Sequence, residues 1–490
     1  MKNISYLDMV KEILNESEFL QFEKCYNNPI KKSVKILNHR WYKNKENDLH
    51  DIVQSILSQE RELSDPDFSY NWNKYNDVLF TTRKENLKST SLWSHYLHQL
   101  GLIYVQEMAA SLSVQMLWVQ PLDYVLDMCA APWGKSVQIA DRLIDWFLIS
   151  NEIDKWRIKA LESNLHRCGI FNVWVINQDW CILWDIFLET FDKVLVDAPC
   201  SWEWMQYKFD KKIWQRDEKK SKKLSNLQIQ LLTSWLKSVK VWGELVYSTC
   251  TTNVLENEYV VSEVLKKYDD KIELLEIPLN EKSDWIISWR WNDVLSPENA
   301  KKVARLWPHI HKTWGFFIAK FKKKESLFSE IWNGWSNLKK CTETKNDFSL
   351  VKEAQDILLS QRWISSISDL DFFVSKFTVN IAHKFLTENH FEIKIENIEI
   401  WLPIFKIVKD NKNNTAKLIP LIWIAQVLGH LATKNVLNIN DEQLKLLMEK
   451  RDLIDNRLRK YEWNYIILKW HGAGTWLVSV QKWIWKNKCF

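Results

Sequence analysis

Between about Ser91 and Phe321 short apolar runs alternate with helix-length amphipathic segments, and several of the runs end in an acid or a small polar residue. That alternation is the mark of βαβ units, because neighbouring parallel strands can be joined only by a crossover segment. The spacing predicts strands at Tyr124–Asp127, Trp146–Ser150, Val173–Ile176, Lys193–Asp197 and Glu244–Ser248. Helices are expected at about Lys135–Asp145, Lys155–Cys168, Ser225–Val239 and Leu255–Lys267. In such a doubly wound α/β sheet, ligands sit beyond the carboxyl ends of the strands.

A chain of 490 residues has room for further domains beside that sheet, at roughly 150 residues each. Residues 1–95 are mixed, with an amphipathic helix expected near Leu7–Phe22 and a strand at Ser33–Leu37. The sheet domain is taken as 96–321, a polar linker opening on Lys322–Lys324 as 322–347, and a smaller C-terminal unit as 348–490. The stretch Tyr465–Lys488 alternates apolar and polar residues with turn letters and is expected to form a small β structure. No apolar run approaches the ~18 to 20 residues of a spanning helix. Met1–Val10 carries Asp8 and lacks the basic-then-apolar order of a signal peptide, so the chain is read as cytoplasmic. Eight scattered cysteines make no disulfide framework, and without a CxxC pair their spacing gives a structural zinc site no support. The formal net charge of +5 permits a nucleic-acid partner without demanding one.

One count fits no ordinary class: 30 Trp stand against 9 Gly, where about 34 glycines would be usual for this length. Many of the tryptophans occupy turn-like contexts, as in Ser201-Trp202-Glu203-Trp204, Ile331-Trp332-Asn333-Gly334-Trp335 and Gly474-Thr475-Trp476. Turns need positive φ or close backbone approach, which an indole obstructs. Many Trp letters are therefore read as glycine, the outcome of translating as Trp a codon that the source lineage decodes as Gly. A truly Trp-rich base-stacking protein would place its aromatics on strands and grooves instead. Trp307, in an apolar and basic context, is read as a genuine indole.

The chemistry-bearing residues fall at the predicted strand ends. The first strand leads into Asp127-Met128-Cys129-Ala130-Ala131-Pro132-Trp133-Gly134-Lys135-Ser136, an acid followed by a small-residue loop and a helix start. This is a ligand loop at a helix N-terminus, but without the spacing of a phosphate-binding P-loop. Glu152 follows the second strand and Asp179 the third. One acid at a strand end is usually a cap or a solvated charge; acids at three successive ends point to a bound nucleoside. Asp197-Ala198-Pro199-Cys200-Ser201 ends the fourth strand and Ser248-Thr249-Cys250-Thr251 the fifth. An isolated cysteine is usually an inert core residue, the reading given to Cys25, Cys168, Cys181, Cys341 and Cys489. Two at neighbouring strand ends beside a nucleoside pocket suit nucleophilic chemistry.

These residues, with Tyr104-Val105-Gln106-Glu107, Lys208, Glu256-Asn257-Glu258, Arg305-Leu306-Trp307-Pro308-His309 and Gly315-Phe316-Phe317, resemble the NOL1/NOP2/Sun RNA (cytosine-5) methyltransferases, most closely the bacterial RsmF-like ribosomal RNA enzymes. The resemblance covers about Ser91–Phe321. Weaker likenesses lie at Lys31–Leu37 and at Leu468–Gly474, the latter similar to a PUA-type RNA-binding end. The departures are Trp133, Trp202, Trp204, Trp242 and Trp314, each where the family has Gly.

The resemblance implies a Rossmann-like methyltransferase sheet flanked by an N-terminal α+β and a C-terminal PUA-like RNA-binding region. It implies S-adenosylmethionine as methyl donor and an RNA cytosine as acceptor. Cys250 would add to C6 of the base, Asp197 would hydrogen-bond the ring, Lys208 would support the pocket, and Cys200 would assist release. Glu152 would hold the ribose of the cofactor and Asp179 its adenine. Cys129, Ala130, Ala131, Pro132, Trp133, Gly134 and Lys135 would cradle its methionine end, with Asp197 beside them. The target cytosine would be splayed out of its RNA, with flanking Lys and Arg holding phosphates. His309 reads either as a packed residue or as lining the RNA cleft. Ribosomal RNA is the first expected substrate and transfer RNA the second, for a monomeric chain acting away from membranes. If the indoles at glycine sites are genuine, the rival is a non-catalytic RNA-binding protein of ribosome assembly.

Overall fold

The computed structural model describes residues 4–26, 33–37, 93–130, 134–143, 148–179, 187–201 and 215–327 apart from short breaks, with parts of 52–82 and of 339–486. Lys208 and the segments 131–133, 202–214 and 328–338, with their tryptophans, lie outside the described residues.

The central sheet contains β1 (Val125–Asp127), β2 (Leu148–Asn151), β3 (Val173–Ile176), β4 (Phe191–Asp197), β5 (Val239–Thr249), β6 (Ile272–Leu275), β7 (Ala304–Leu306) and β8 (Phe316–Lys323). Their order is β6-β8-β5-β4-β1-β2-β3, with β7 paired to β8. The five strands expected from the sequence form its parallel part. Strand order reverses beside β1, and crossovers to either side leave a crevice over the carboxyl ends. The connecting helices are α1 (Met108–Leu117), α2 (Lys135–Ala140), α3 (Lys155–Arg167), α4 (Glu218–Ser238) and α5 (Glu258–Tyr268). One apolar face of the sheet packs against Leu231, Trp235, Val260 and Val264 of α4 and α5. The other packs against Leu112, Met116, Val137 and Leu161 of α1, α2 and α3.

The antiparallel strands β6, β7 and β8 go beyond the sequence reading. In β8 the basic run assigned to a linker continues the strand: Lys323 is fully buried, donating to the carbonyls of Leu236 and Val239 and pairing with Glu189. The expected N-terminal helix is two helices, Tyr6–Ile13 and Glu16–Tyr26. Asn15 breaks it by accepting from the Glu18 amide while Glu18 accepts from the Asn15 amide, a reciprocal cap that starts a new helix.

Strand Ser33–Ile36 pairs with Ile103–Gln106, so the N-terminal sheet leads directly into α1. The C-terminal β expectation holds as Tyr465–Trp470, Ala473–Gln481 and Ile484–Lys486, part of a five-stranded sheet. The two terminal regions share one core, in which Val34, Ile103 and Val105 pack with Leu468, Trp470 and Trp476. A separate four-stranded sheet spans Leu370–Val374, Thr378–His383, Leu402–Asp410 and Thr415–Pro420. No helix among the described residues is long and apolar enough to cross a membrane.

The tryptophans divide by environment. Trp235, Trp307 and Trp470 are among the largest fully buried side chains. Trp476 lies inside a strand at 3% exposure, which corrects the turn reading of Gly474-Thr475-Trp476. By contrast Trp118, at the C-cap of α1, and Trp242, at the bulge of β5, are exposed and have φ of +55° and +70°. That is the region glycine enters without cost and other residues rarely do.

Candidate active site

The register of β4 against β5 sets Asp197 opposite Ser248, and the Ala198 amide continues the pairing to the Ser248 carbonyl at 2.9 Å. The two strands therefore end together, and the loops leaving them bring Cys200 Sγ to 3.1 Å from Cys250 Sγ. The two cysteines expected from neighbouring strand ends are brought together. Asp197 sits beneath them, accepting from Ser248 Oγ at 2.8 Å through Oδ1 and from Lys135 Nζ at 2.6 Å through Oδ2.

Lys135 comes from the first turn of α2, across the crevice, and is 4% exposed. Burial opposes its charge, but Asp197, with Cys250 and Asp127 nearby, outweighs it, and the ammonium is held above its usual pKa. The Phe316 ring lies 5.7 Å beneath it. The sequence placed Lys135 in the cofactor loop; the structure adds that its charge lies with Asp197. Only the tertiary meeting of the first turn of α2 with the end of β4 could have revealed this.

The opposite rim is formed by the ends of β1, β2 and β3. Asp127 is fully buried and accepts from Ser136 Oγ at 2.6 Å. Burial, reinforced by Asp197, raises its pKa to about 7 against the Ser136 hydrogen bond and the Lys135 charge. Main-chain bonds fasten this rim: Met128 N to Leu195 O, Ala130 N to Asn151 O, and Glu152 N to Ile176 O, at 2.9, 2.9 and 3.0 Å. Gly134 starts α2 against the Tyr104 ring; an added Cβ would lie 2.0 Å from it, so no side chain fits there.

Glu152 is 1% exposed, accepts from the Asp154 amide at 3.0 Å and pairs with Arg157 at 3.5 Å. Asp179 is exposed past the end of β3. Asn151 braces β2 to β3 by bonds in both directions with the Gln178 main chain, and Asn177 reaches the carbonyls of Glu152 and Ile153. Burial raises the Cys129 thiol well above its normal pKa, and Asp127, Asp197 and Glu152 add to the shift.

Behind the thiols, Asn257 accepts from Thr249 Oγ1 at 2.6 Å and donates to Thr251 O at 3.0 Å, bracketing Cys250. Arg305 donates to Thr252 O at 2.6 Å and forms a two-pronged pair with Glu258 at 2.5 and 3.1 Å. The sequence reading quoted Glu256-Asn257-Glu258 and Arg305 as part of the resemblance without assigning them work, and their meeting is seen only in the fold. His309 packs edge-on against Phe22, with ring centroids 5.9 Å apart, and against Trp307 at 6.0 Å. Of its two readings, the packed one matches this contact.

Residues 114–322 match the family model described as 16S rRNA methyltransferase RsmB/F. The chain is 29% identical over 327 residues to the ribosomal RNA small subunit methyltransferase F of Photobacterium profundum, covering 66% of this chain and 64% of that protein. It is 34% identical over 260 residues to the 25S rRNA (cytosine-C(5))-methyltransferase nop2 of Schizosaccharomyces pombe, covering 52% of this chain and 42% of that protein. It thus spans less than two-thirds of the length of either relative. A methyltransferase homologue from Pyrococcus horikoshii superposes with a TM-score of 0.53 at 26% identity, over 64% of this chain and 93% of that structure.

Proposed function

We propose, from the match of residues 114–322 to the RsmB/F family model, that this chain is a NOL1/NOP2/Sun methyltransferase that methylates C5 of a cytosine in RNA, using S-adenosylmethionine. The observation that carries the reading is the pair of thiols 3.1 Å apart above Asp197 and Lys135. C5 of cytosine is a poor nucleophile. Addition of the Cys250 thiolate to C6 moves electron density onto C5, where it can attack a methyl carbon. Asp197 is placed to hydrogen-bond the pyrimidine, and Lys135 holds that carboxylate in one orientation. Lys208 keeps the supporting role that the resemblance gives it, and Lys135 adds a second cation beside Asp197. After transfer, the C5 proton leaves to a base and the sulfur–C6 bond breaks with its electrons returning to Cys250. Cys200 stands within reach of that step.

When bound, S-adenosylmethionine supplies an electrophilic methyl group on a sulfonium cation. The residues present fit such a ligand. The carboxyl groups of Asp127, Asp197 and Glu152 surround Cys129, so the β1 loop has acceptors for an α-ammonium group and for ribose hydroxyls. Glu152 would hold the ribose, Asp179 would face the adenine, and the loop from Cys129 to Lys135 would hold the methionine end.

The names of the relatives favour ribosomal RNA over transfer RNA. The N-terminal sheet and the C-terminal unit, PUA-like at Leu468–Gly474, would grip the RNA on either side of the splayed base. The test is trapping on small-subunit ribosomal RNA with the methyl donor present. Cys200→Ala should accumulate a denaturant-resistant protein–RNA adduct and Cys250→Ala should not; no adduct from either variant would sink the two-thiol mechanism.

A further inference from the structure

We propose that Glu256 is a positioning residue whose buried carboxylate ties the loop of Cys200 to the loop of Cys250 and so sets the distance between the two thiols. Glu256 is fully buried. Its Oε2 accepts from the amide of Ser201, the residue after Cys200, at 2.9 Å. Its Oε1 accepts from Asn253 Nδ2, three residues after Cys250, at 2.8 Å. The same side chain thus grips both loops, each within three residues of a thiol.

Helix α4 closes the tie. Gln228 Nε2 donates to Glu256 Oε2 at 3.2 Å and to Pro199 O at 2.9 Å. Asn253 Nδ2 also reaches Ser221 Oγ at 2.9 Å, and Tyr247 OH donates to Glu256 O at 2.6 Å. Every group facing the carboxylate in this set is a donor, so an acceptor-only side chain is required. An amide in its place would aim its own N–H at one of them.

The geometry predicts how the tie can be cut and restored. Glu256→Gln leaves one donor facing a donor, and the loops separate. Adding Asn253→Asp reverses one bond: the new amide donates to the new carboxylate, while its carbonyl still accepts from Ser201 and Gln228. Ser221 Oγ can turn its hydrogen towards the new carboxylate, and net charge is unchanged. A residue serving only bulk stability has no reason to respond to that exchange at the thiols.

The consequence for turnover rests on the two-thiol reading above, whereas the tie itself can be tested without RNA. Diamide takes one hydrogen from each thiol and becomes the hydrazine, leaving a Cys200–Cys250 disulfide that peptide mass mapping detects. In the full chain, Glu256→Gln should form this link about ten- to a hundredfold more slowly than the native protein, since a misplacement near 1 Å costs reacting groups that much. The double exchange should restore the native rate. Asn253→Ala, which cuts the tie from the Cys250 side, should slow the link as well and carries the test if Glu256→Gln does not fold. Native-like linking in folded Glu256→Gln or Asn253→Ala, or failure of the double exchange to restore it, overturns the proposal.

With RNA and methyl donor, Glu256→Gln should accumulate adduct as Cys200→Ala does. Adduct from Cys200→Ala but none from Glu256→Gln rejects the tie. No adduct from Cys200→Ala rejects the two-thiol function and leaves diamide linking to judge the tie.

Discussion

The rim carrying the thiols, at the ends of β4 and β5, is fastened by buried side chains: Asn257 on either side of Cys250, Arg305 and Glu258 behind Thr252, and Lys135 on Asp197. The rim at the ends of β1, β2 and β3 combines main-chain bonds, Ala130 on Asn151 and Glu152 on Ile176, with the amide side chains of Asn151 and Asn177, and has Gly134 pressed against Tyr104. The first rim depends on particular polar groups, because each leaves a buried partner unsatisfied when removed. The second adds a dependence on backbone shape, and at Gly134 a small residue matters more than a functional group. Damage to the two should therefore look different.

The largest effect is expected at Arg305. It and Glu258 are 3% and 2% exposed, and breaking a buried pair from one side costs about 3–5 kcal/mol, while removing both charges is often close to neutral. Urea unfolding of Arg305→Met should show that loss, and Arg305→Met with Glu258→Leu should recover much of it. A single variant within about 0.5 kcal/mol of native would mean that the rim does not depend on its side chains. Lys135→Met comes next. Removing one preorganised charged donor should lower kcat by about 10²–10³-fold, with a smaller change in KM if its work is on Asp197. A KM change alone would move Lys135 back to the cofactor rim.

The parallel half of the sheet was legible because its strands are apolar runs ending in functional letters, and the register of β4 and β5 follows once they are neighbours. The antiparallel half was hidden in part by Lys323, which reads as the opening of a polar linker but is buried on Glu189, next to Lys320 on Glu244 in the same strand. The thiols were legible as residues, and so was their sharing of a cleft. What holds them was not, because Arg305 and Glu258 lie 47 residues apart and meet only through packing. Trp476 misled because its neighbours are turn letters, while its indole lies in the core shared by the two ends of the chain.

Backbone shape away from both rims supplies the next prediction, through the tryptophans at the C-cap of α1 and the bulge of β5. A non-glycine residue in the left-handed region costs about 1–2 kcal/mol, so Trp118→Gly and Trp242→Gly should each stabilise the written sequence by that order. Trp235→Gly, in the core, should instead lose about 3–5 kcal/mol. Peptide masses from the protein made in its own source should read glycine at 118, 133, 202, 204, 242 and 314, and tryptophan at 235 and 307. Tryptophan at all of them would reject the recoding and favour the non-catalytic RNA-binding reading.

The smallest effect is expected at His309, where the short helix after β7 meets Phe22. Burial, with a lesser contribution from His311, lowers its pKa to about 4, whereas an unfolded histidine titrates near 6.5. Between those values the unfolded chain holds a proton that the folded chain does not, so stability is fully present above about pH 6.5 and declines as the pH falls towards 4. His309→Phe keeps an aromatic ring against Phe22 and Trp307 and removes the titration. Urea midpoints measured from pH 4.5 to pH 7.5 should fall less steeply on the acid side for the variant than for the native protein. Parallel curves would show that this contact bears no proton-linked load. The partial exposure of His309 keeps the expected difference below that of the buried pair at Arg305.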